Sequence, residues 1–297
     1  MENVKLKYTM QNYKTFFLGI LFLFHLSFYA QNYKLDSLLS IHENNKENEK
    51  ILILIGESYA KEKKWELAIK FYSKLVDLQP NNSDYLYRLG GTQAAYSEKI
   101  SKLKVLQLIN KAKYNLVKSS NLDPRNIFSR WVLVQILTEM PAFLGGDKNK
   151  AKLYCEEISN ISKIHGLLSK QYLYHYQNNL VKLHIVEDKI ISLIRSKPIT
   201  FNFNYFNYKV GILLIKEKYK NYSIADKYLL NYIKEYSSAD RFSIAEAYYF
   251  LAFSKYKQGH ASSLRYLDKS KYIINKSKYK DDDLVKKVEA LYKKISK

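Results

Sequence analysis

The sequence predicts an all-α protein built as a solenoid of antiparallel helix pairs, and three observations predict it. Glycine (9) and proline (4) are scarce among the 297 residues, which disfavours the many turns of an all-β fold. Apolar residues recur at three- and four-residue spacing, the period of an amphipathic helix. A pattern of small and large residues then returns after 34 residues, which is typical of helical repeat proteins.

The first 30 residues predict a signal peptide. Three lysines precede an apolar run at 16–30, which has about the length of a signal-peptide core and falls short of the roughly 20 residues that span a membrane. Ala30 suits the position before cleavage, whereas Phe28 is larger than the small residue that usually stands there. Cleavage and an uncleaved anchor therefore both stay open, and we expect an exported bacterial protein, periplasmic or secreted.

Residues 31–48 form a leading segment. An apolar stretch at 33–39 predicts a short capping helix, and the polar stretch at 42–50 predicts a linker.

Residues 49–82 hold the best-formed repeat. One face of its first helix is apolar and consists of Leu52, Ile55, Gly56 and Tyr59. Its second helix has apolar residues at four-residue steps, namely Ala68, Tyr72 and Val76. Pro80, which lacks an N–H, stops that helix. The small residues Gly56 and Ala68 predict a close approach of the two helix backbones.

This order of residues, L-x2-I-G-x2-Y followed by A-x3-Y and a proline, resembles the tetratricopeptide repeat. The resemblance implies a right-handed superhelix in which the first helix of each repeat lines a concave groove that binds peptides or proteins. About six such pairs would occupy residues 49–280, and residues 281–297 would form a C-terminal capping helix.

The later copies depart from the first. Gly90 follows Gly56 by 34 residues, but Pro124 follows Pro80 by 44, so the second unit carries about ten extra residues. We expect longer helices or a wider turn at 97–103 to hold them. The fourth copy, 164–196, has diverged most from the repeat pattern. Gly211 occupies the glycine position of the fifth copy.

The third unit contains a loop at 141–147. Pro141 ends a helix, two glycines permit a tight turn, and Asp147 is a good N-cap for the next helix. A phosphate-binding loop would need a different glycine and lysine spacing, and Asp147 would repel an anion. The loop also resembles, over about ten residues, one in periplasmic T components of tripartite transporters.

No catalytic or metal-binding pattern is visible, so we expect a protein that is not an enzyme and has no cofactor or metal. None of the six histidines lies at metal-ligand spacing from another potential ligand. His175 and His184 are expected to be packed or surface residues. The single cysteine, Cys155, allows no intrachain disulfide and reads as a buried apolar residue. The adjacent carboxylates at 156–157 and 187–188 are expected on helix surfaces. Those at 281–283 are expected to cap a helix N-terminus rather than to bind a cation.

The net charge of +21 has two open explanations. A compositional bias toward lysine, asparagine and tyrosine would produce it, and so would a functional basic surface. Removing residues 1–30, which hold three lysines and one glutamate, leaves +19. Only six of the basic residues are arginine, the residue of base and phosphate recognition, so no nucleic-acid partner is expected. No integral membrane domain is expected after signal cleavage.

The function that this resemblance implies is a non-enzymatic interaction scaffold with a protein or peptide partner. Alternatives are a component of a periplasmic transport or envelope-assembly complex, and a binder of an acidic polymer or membrane surface. The expected partner-binding groove residues are Tyr87, Trp131, Gln135, Tyr208, Tyr249 and Phe253. Packing against neighbouring repeats is the alternative role for these side chains. Specificity is expected near Trp131 and the loop at 141–147, where the copies differ.

Overall fold

The computed structural model describes residues 35–97, 102–197, 199–277 and 281–295. These ranges hold fourteen α-helices, one short 3-10 helix and no strand, so the predicted all-α fold is confirmed. The expected signal peptide, residues 1–30, lies outside the described residues. None of the helices in these ranges is both long enough and apolar enough to cross a membrane.

The chain divides between Ser196 and Lys197 into two compact units. The described part of the first unit contains nine α-helices: α1 Leu35–Asn44, α2 Glu49–Lys61, α3 Trp65–Leu78, α4 Ser83–Ser97, α5 Lys102–Leu122, α6 Ile127–Glu139, α7 Lys148–Ile161, α8 Lys163–Tyr176 and α9 Leu180–Ser196. The described part of the second unit contains five: α10 Asn204–Ile215, α11 Tyr222–Lys234, α12 Ile244–Lys257, α13 Ser262–Lys276 and α14 Asp282–Ile295. The sequence pattern did not indicate this division.

Within each unit, consecutive helices pack against each other. Short connections join most of them, which makes sequential neighbours antiparallel. The pairs α2–α3, α4–α5, α6–α7 and α8–α9 follow one another in the first unit. The pairs α10–α11 and α12–α13 follow in the second unit, and α14 closes it by packing Leu284, Val288 and Leu291 into an apolar cluster with Leu267.

One contact recurs inside the helix pairs. A glycine of the first helix lies so close to a large side chain of the second that an added Cβ would fall 2.5–2.8 Å from it. The large residue stands four positions after a fully buried alanine in each case. The three contacts are Gly56–Tyr72, Gly90–Leu116 and Gly211–Leu229. The small-and-large pattern of the sequence therefore corresponds to close packing of two helix backbones.

Asparagine, aspartate and serine residues start several of the helices. The backbone N–H of Ile51 donates to Asn48 at the start of α2, and that of Ser129 donates to Asn126 at the start of α6. Asp281 accepts in the same way from the N–H groups of Asp283 and Leu284. This last contact shows Asp281 capping a helix N-terminus, where its negative charge is also favourable.

Buried ion pairs tie neighbouring helices together. Arg88 of α4 donates to Glu57 of α2 at 2.7 Å and to Asp84 at 2.6 Å. In the second unit, buried Asp226 of α11 accepts from Ser254 and pairs with Lys255 of α12. The carboxylates of Glu57 and Asp226 therefore each join one helix pair to the next, whereas Asp84 pairs with Arg88 within α4.

Two expectations need correction, and a third, the longer helix of the second repeat, is met. The helix α1 continues to Asn44 and His42 is buried on it, so only residues 45–48 connect α1 to α2. The long helix α5, with 21 residues, holds extra residues of the second repeat. Glu187 is not a surface residue: it is buried and accepts a hydrogen bond from Gln171.

Candidate functional site

A cavity of about 710 Å³ lies in the first unit between α5, α6 and α7. Its volume is within the range of pockets that hold ligands, roughly 300–1,000 Å³. The second helices of two successive repeats, α5 and α7, form its sides, and α6 contributes Leu133 and Leu137. The loop between α6 and α7 closes one end through Gly145, Gly146 and Asp147.

The periodicity of a helix explains which residues line the cavity. Residues four apart share a face, so α5 presents two neighbouring columns. One column is Lys113, Val117 and Asn121, and the other is Tyr114, Lys118 and Leu122. Two leucines four residues apart on α6 and the pair Lys150 and Tyr154 on α7 complete the lining. The cavity therefore has apolar, aromatic and basic side chains on adjacent faces.

Positive charge dominates the lining. It includes Lys113, Lys118 and Lys150 against a single carboxylate, Asp147. That carboxylate accepts from the backbone N–H groups of Asn149 and Lys150 and so caps α7, as the sequence predicted. Burial lowers the pKa of Lys113, and the charge of Lys150 lowers it further. An anion in the cavity would offset both effects.

Backbone contacts fold the loop at 141–147 back onto the end of α6. The N–H of Gly146 donates to the carbonyl of Pro141 at 3.0 Å, and that of Asp147 donates to the carbonyl of Leu137 at 2.9 Å. Gly145 has φ 89°, and a Cβ on Gly146 would lie 1.8 Å from the carbonyl oxygen of Met140. Only glycine fits both positions of this loop. The ammonium of Lys113 donates to the carbonyl of Gly145 at 3.3 Å and joins the loop to α5.

Exposed apolar side chains accompany the cavity. Phe143, on the 3-10 helix Ala142–Leu144 next to the glycines, is 86% exposed. Tyr114 and Leu122, both in the lining, are 68% and 43% exposed. Burial raises the pKa of Tyr154 on the opposite side, so its phenol stays neutral. Large apolar side chains left in water around an opening are typical of interaction sites.

Four of the six predicted groove residues lie inside the helix packing. Tyr87, Trp131, Gln135 and Tyr208 are all at most 4% exposed. Ring contacts account for the burial: Tyr87 packs on Phe128, Trp131 on Tyr172, and Tyr208 on Phe242 with ring centres 3.9 Å apart. The sequence left open both a groove role and packing against neighbouring repeats, and the burial of these four side chains favours packing.

Tyr249 and Phe253, the other two, are half-buried on α12. They pack beside the apolar cluster of the second unit, and the ammonium of Lys257 lies 5.5 Å from the ring centre of Phe253. Their groove role stays a prediction. The structure brings neither of them, nor the four buried residues, to the cavity lining.

The sequence indicated one part of this cavity. It pointed to the loop at 141–147, whose last three residues line the cavity, but not to α5. The signal was present in the extra residues of the second repeat and in the alternation along α5 of lysine, tyrosine and apolar residues at four-residue spacing.

Cys155, His175 and His184, which the sequence analysis singled out, lie outside the cavity lining. Burial raises the pKa of the Cys155 thiol to about 11, which leaves it protonated and unreactive, as expected of a packed cysteine. His175 and His184 are exposed. In the part of the chain that the structure describes, no group of three or more histidine, cysteine or carboxylate side chains is arranged to hold a metal.

No protein-family model matches the chain, and none of the curated proteins compared with it matches. Solved structures do match. A tetratricopeptide repeat protein from Parabacteroides merdae is 12% identical over 86% of this chain and 90% of its own, with a TM-score of 0.46. PilF of Pseudomonas aeruginosa is 14% identical over 77% and 93%, with a TM-score of 0.43. YrrB, described as a tetratricopeptide protein with an unusual peptide-binding site, is 16% identical over 82% and 95%, with a TM-score of 0.36.

The expected resemblance to transporter components finds no support among these structures. Their identities and TM-scores are low, so the assignment rests on the chain's own helices. The glycine contacts recur in three helix pairs, and a 34-residue spacing separates the first two glycines. Together with the all-α architecture, these features show a fold of stacked antiparallel helix pairs, the arrangement that the resemblance to tetratricopeptide repeats predicts.

Proposed function

We propose that the protein is a non-enzymatic interaction scaffold that binds a peptide or protein partner through the cavity between α5, α6 and α7. The observation that carries the proposal is the cavity itself, about 710 Å³, whose lining combines buried leucines with three lysines that are more exposed. Stacked helix pairs support such a role because they hold side chains from several repeats in fixed relative positions. The matched protein YrrB is described as having a peptide-binding site, which agrees with a role of this kind.

The proposed site differs in position from the groove that the family resemblance implies. That groove is lined by first helices, whereas the sides of this cavity are the second helices α5 and α7. The burial of Tyr87, Trp131 and Gln135 removes three groove anchors of the first unit. Tyr249 and Phe253 of the second unit form a second candidate contact because they keep part of their surface in water.

Matched tryptophan variants of α5 test this role. Asn121 and Asn110 are both exposed on α5, but only Asn121 lines the cavity. Full-length tagged protein would be cross-linked and captured from the native cells as wild type, Asn121→Trp and Asn110→Trp. We expect a partner that wild type and Asn110→Trp capture equally and that Asn121→Trp loses by at least tenfold. Equal capture by all three proteins would exclude the cavity as the binding site.

The proposal includes export, with the partner met in the periplasm or outside the cell. Its support is the sequence of residues 1–30, with lysines before an apolar run that ends at Ala30. The test is the intact mass and N-terminal sequence of the protein recovered from each cell fraction. We expect a chain that begins at Gln31 in the periplasmic or culture fraction. A chain beginning at Met1 and confined to the cytosolic fraction would contradict export.

A further inference from the structure

We infer that the cavity between α5, α6 and α7 recognises an acidic segment of a partner protein, in which an apolar side chain stands between carboxylates. This inference rests on the proposed function, since it names the chemistry of the partner at that same site. Two features of the cavity carry it: the arrangement of its apolar floor and the charge of its opening.

The floor accommodates an apolar side chain. Leu133 and Leu137 of α6 are nearly fully buried where they meet the cavity, and Val117 of α5 lies beside them. A leucine or aromatic ring placed there would leave water and pack against apolar side chains of two helices, α5 and α6. A polar side chain in the same place would lose hydrogen bonds to water, because these three residues offer it no partner.

The opening favours negative charge. Lys118 and Lys150 line the cavity on α5 and α7, and Lys113 lies near the loop glycines. The single carboxylate of the lining, Asp147, already accepts two backbone N–H groups of α7. With three lysines against this one carboxylate, the lining keeps an excess of positive charge that a carboxylate from a partner would offset.

The surface beyond the cavity favours a peptide segment over a small anion. Phe143 and Tyr114 keep most of their surface in water. A small anion would leave these rings exposed, whereas a segment that continues past the cavity can cover them. The chain's own leader is a poor occupant, because residues 1–14 carry three lysines and one glutamate.

Selection from a random peptide library tests the inference. Full-length protein would be presented to a displayed library of peptides about twelve residues long. We expect enriched peptides in which aspartate or glutamate flanks leucine, phenylalanine or tyrosine. Their affinity should fall at least tenfold in the double variant Lys118→Gln, Lys150→Gln, and should weaken as salt rises. The matched control is Lys111→Gln, Lys152→Gln, which removes two exposed lysines of α5 and α7 that lie outside the lining.

The outcomes separate the inference from the proposed function. Peptides that lose binding in Asn121→Trp but lack acidic residues, or that tolerate the Lys118 and Lys150 changes, would overturn the inference and leave the cavity as a binding site. Peptides that bind equally to Asn121→Trp would contradict both. A protein that selects no peptide but binds phosphatidylserine vesicles, and loses them in the Lys118 and Lys150 variant, would assign the cavity to a lipid surface and overturn the inference.

Discussion

A Cβ atom added to Gly56 would lie 2.5 Å from Cε1 of Tyr72, well inside the contact distance of two carbon atoms. Tyr72 is fully buried, so its ring has no space into which to move. Gly56→Ala should therefore lower the free energy of unfolding by about 1–3 kcal/mol through overpacking, in spite of the better helix propensity of alanine. Urea denaturation followed by circular dichroism measures this change.

Lys50→Ala is the matched control for Gly56→Ala. Lys50 lies on the exposed face of the same helix, where a substitution should change the free energy of unfolding by no more than about 0.5 kcal/mol. If Gly56→Ala is as stable as Lys50→Ala, the close approach of α2 and α3 is not what fixes glycine at position 56.

The buried ion pair between Arg88 and Glu57 gives a second prediction. Glu57→Gln removes one of the two carboxylates that pair with the buried guanidinium of Arg88 and leaves the half-exposed one of Asp84. Removing one member of a buried ion pair lowers the free energy of unfolding by about 3–5 kcal/mol. Because the contact with Asp84 remains, we expect a loss at the lower end of that range. Glu62→Gln breaks the exposed pair with Lys64, which solvent screens, and should leave the free energy of unfolding nearly unchanged. Equal losses in the two variants would refute a special role for the buried pair.

Stability should depend on His165 in acid. Burial lowers the pKa of His165 from 6.5 to about 4. The folded protein therefore holds a neutral imidazole, while the unfolded chain takes up a proton near pH 6.5. The free energy of unfolding therefore keeps its full value with respect to this histidine above about pH 6.5. It falls as the pH drops toward 4, by about 1.4 kcal/mol per pKa unit and so by up to about 3 kcal/mol in total.

The measurement is the free energy of unfolding at pH 7.5 and pH 4.5. His165→Gln should lose less stability between these two values than wild type, because its side chain binds no proton in either state. His184→Gln, an exposed change on α9, should lose as much as wild type. An identical loss in wild type and His165→Gln would show that the imidazole makes no such contribution.

The glycine loop gives a prediction that separates stability from binding. A Cβ on Gly146 meets the carbonyl oxygen of Met140, so Gly146→Ala should displace the loop and abolish partner capture. Gly259→Ala is the control: Gly259 has φ 71° and open space around it, so only backbone strain of about 1–2 kcal/mol is expected. The readouts are the free energy of unfolding and the capture of the partner. Full capture by Gly146→Ala would show that the loop is not part of the site.

Local spacing in the sequence was enough to predict the fold and its recurrent contacts. Gly56 and Tyr72 meet because each stands at a fixed position within its own helix, and the turn between the helices is short. Asp147 and Cys155 behave as expected for the same reason, since capping and burial depend on the few residues around them. Such features follow from the 3.6-residue period and from side-chain size.

The site needed information that spacing does not contain. Its lining joins Lys113 on α5 to Lys150 on α7, across two helix boundaries and a folded loop. Trp131 packs against Tyr172 of the next repeat, and that repeat has diverged most from the sequence pattern. The sequence therefore left open whether Trp131 faces a groove or packs against the next repeat, and the contact with Tyr172 supports packing.

Site-specific photo-cross-linking in the native cell tests the central claim most directly. A photoreactive amino acid would replace Tyr114, an exposed residue of the cavity lining, or in separate cells Tyr272, an exposed residue of α13. We predict a cross-linked partner from position 114 that disappears when Asn121→Trp is present, and no such product from position 272. The same partner cross-linked from position 272, with nothing from position 114, would contradict the cavity as the site of recognition.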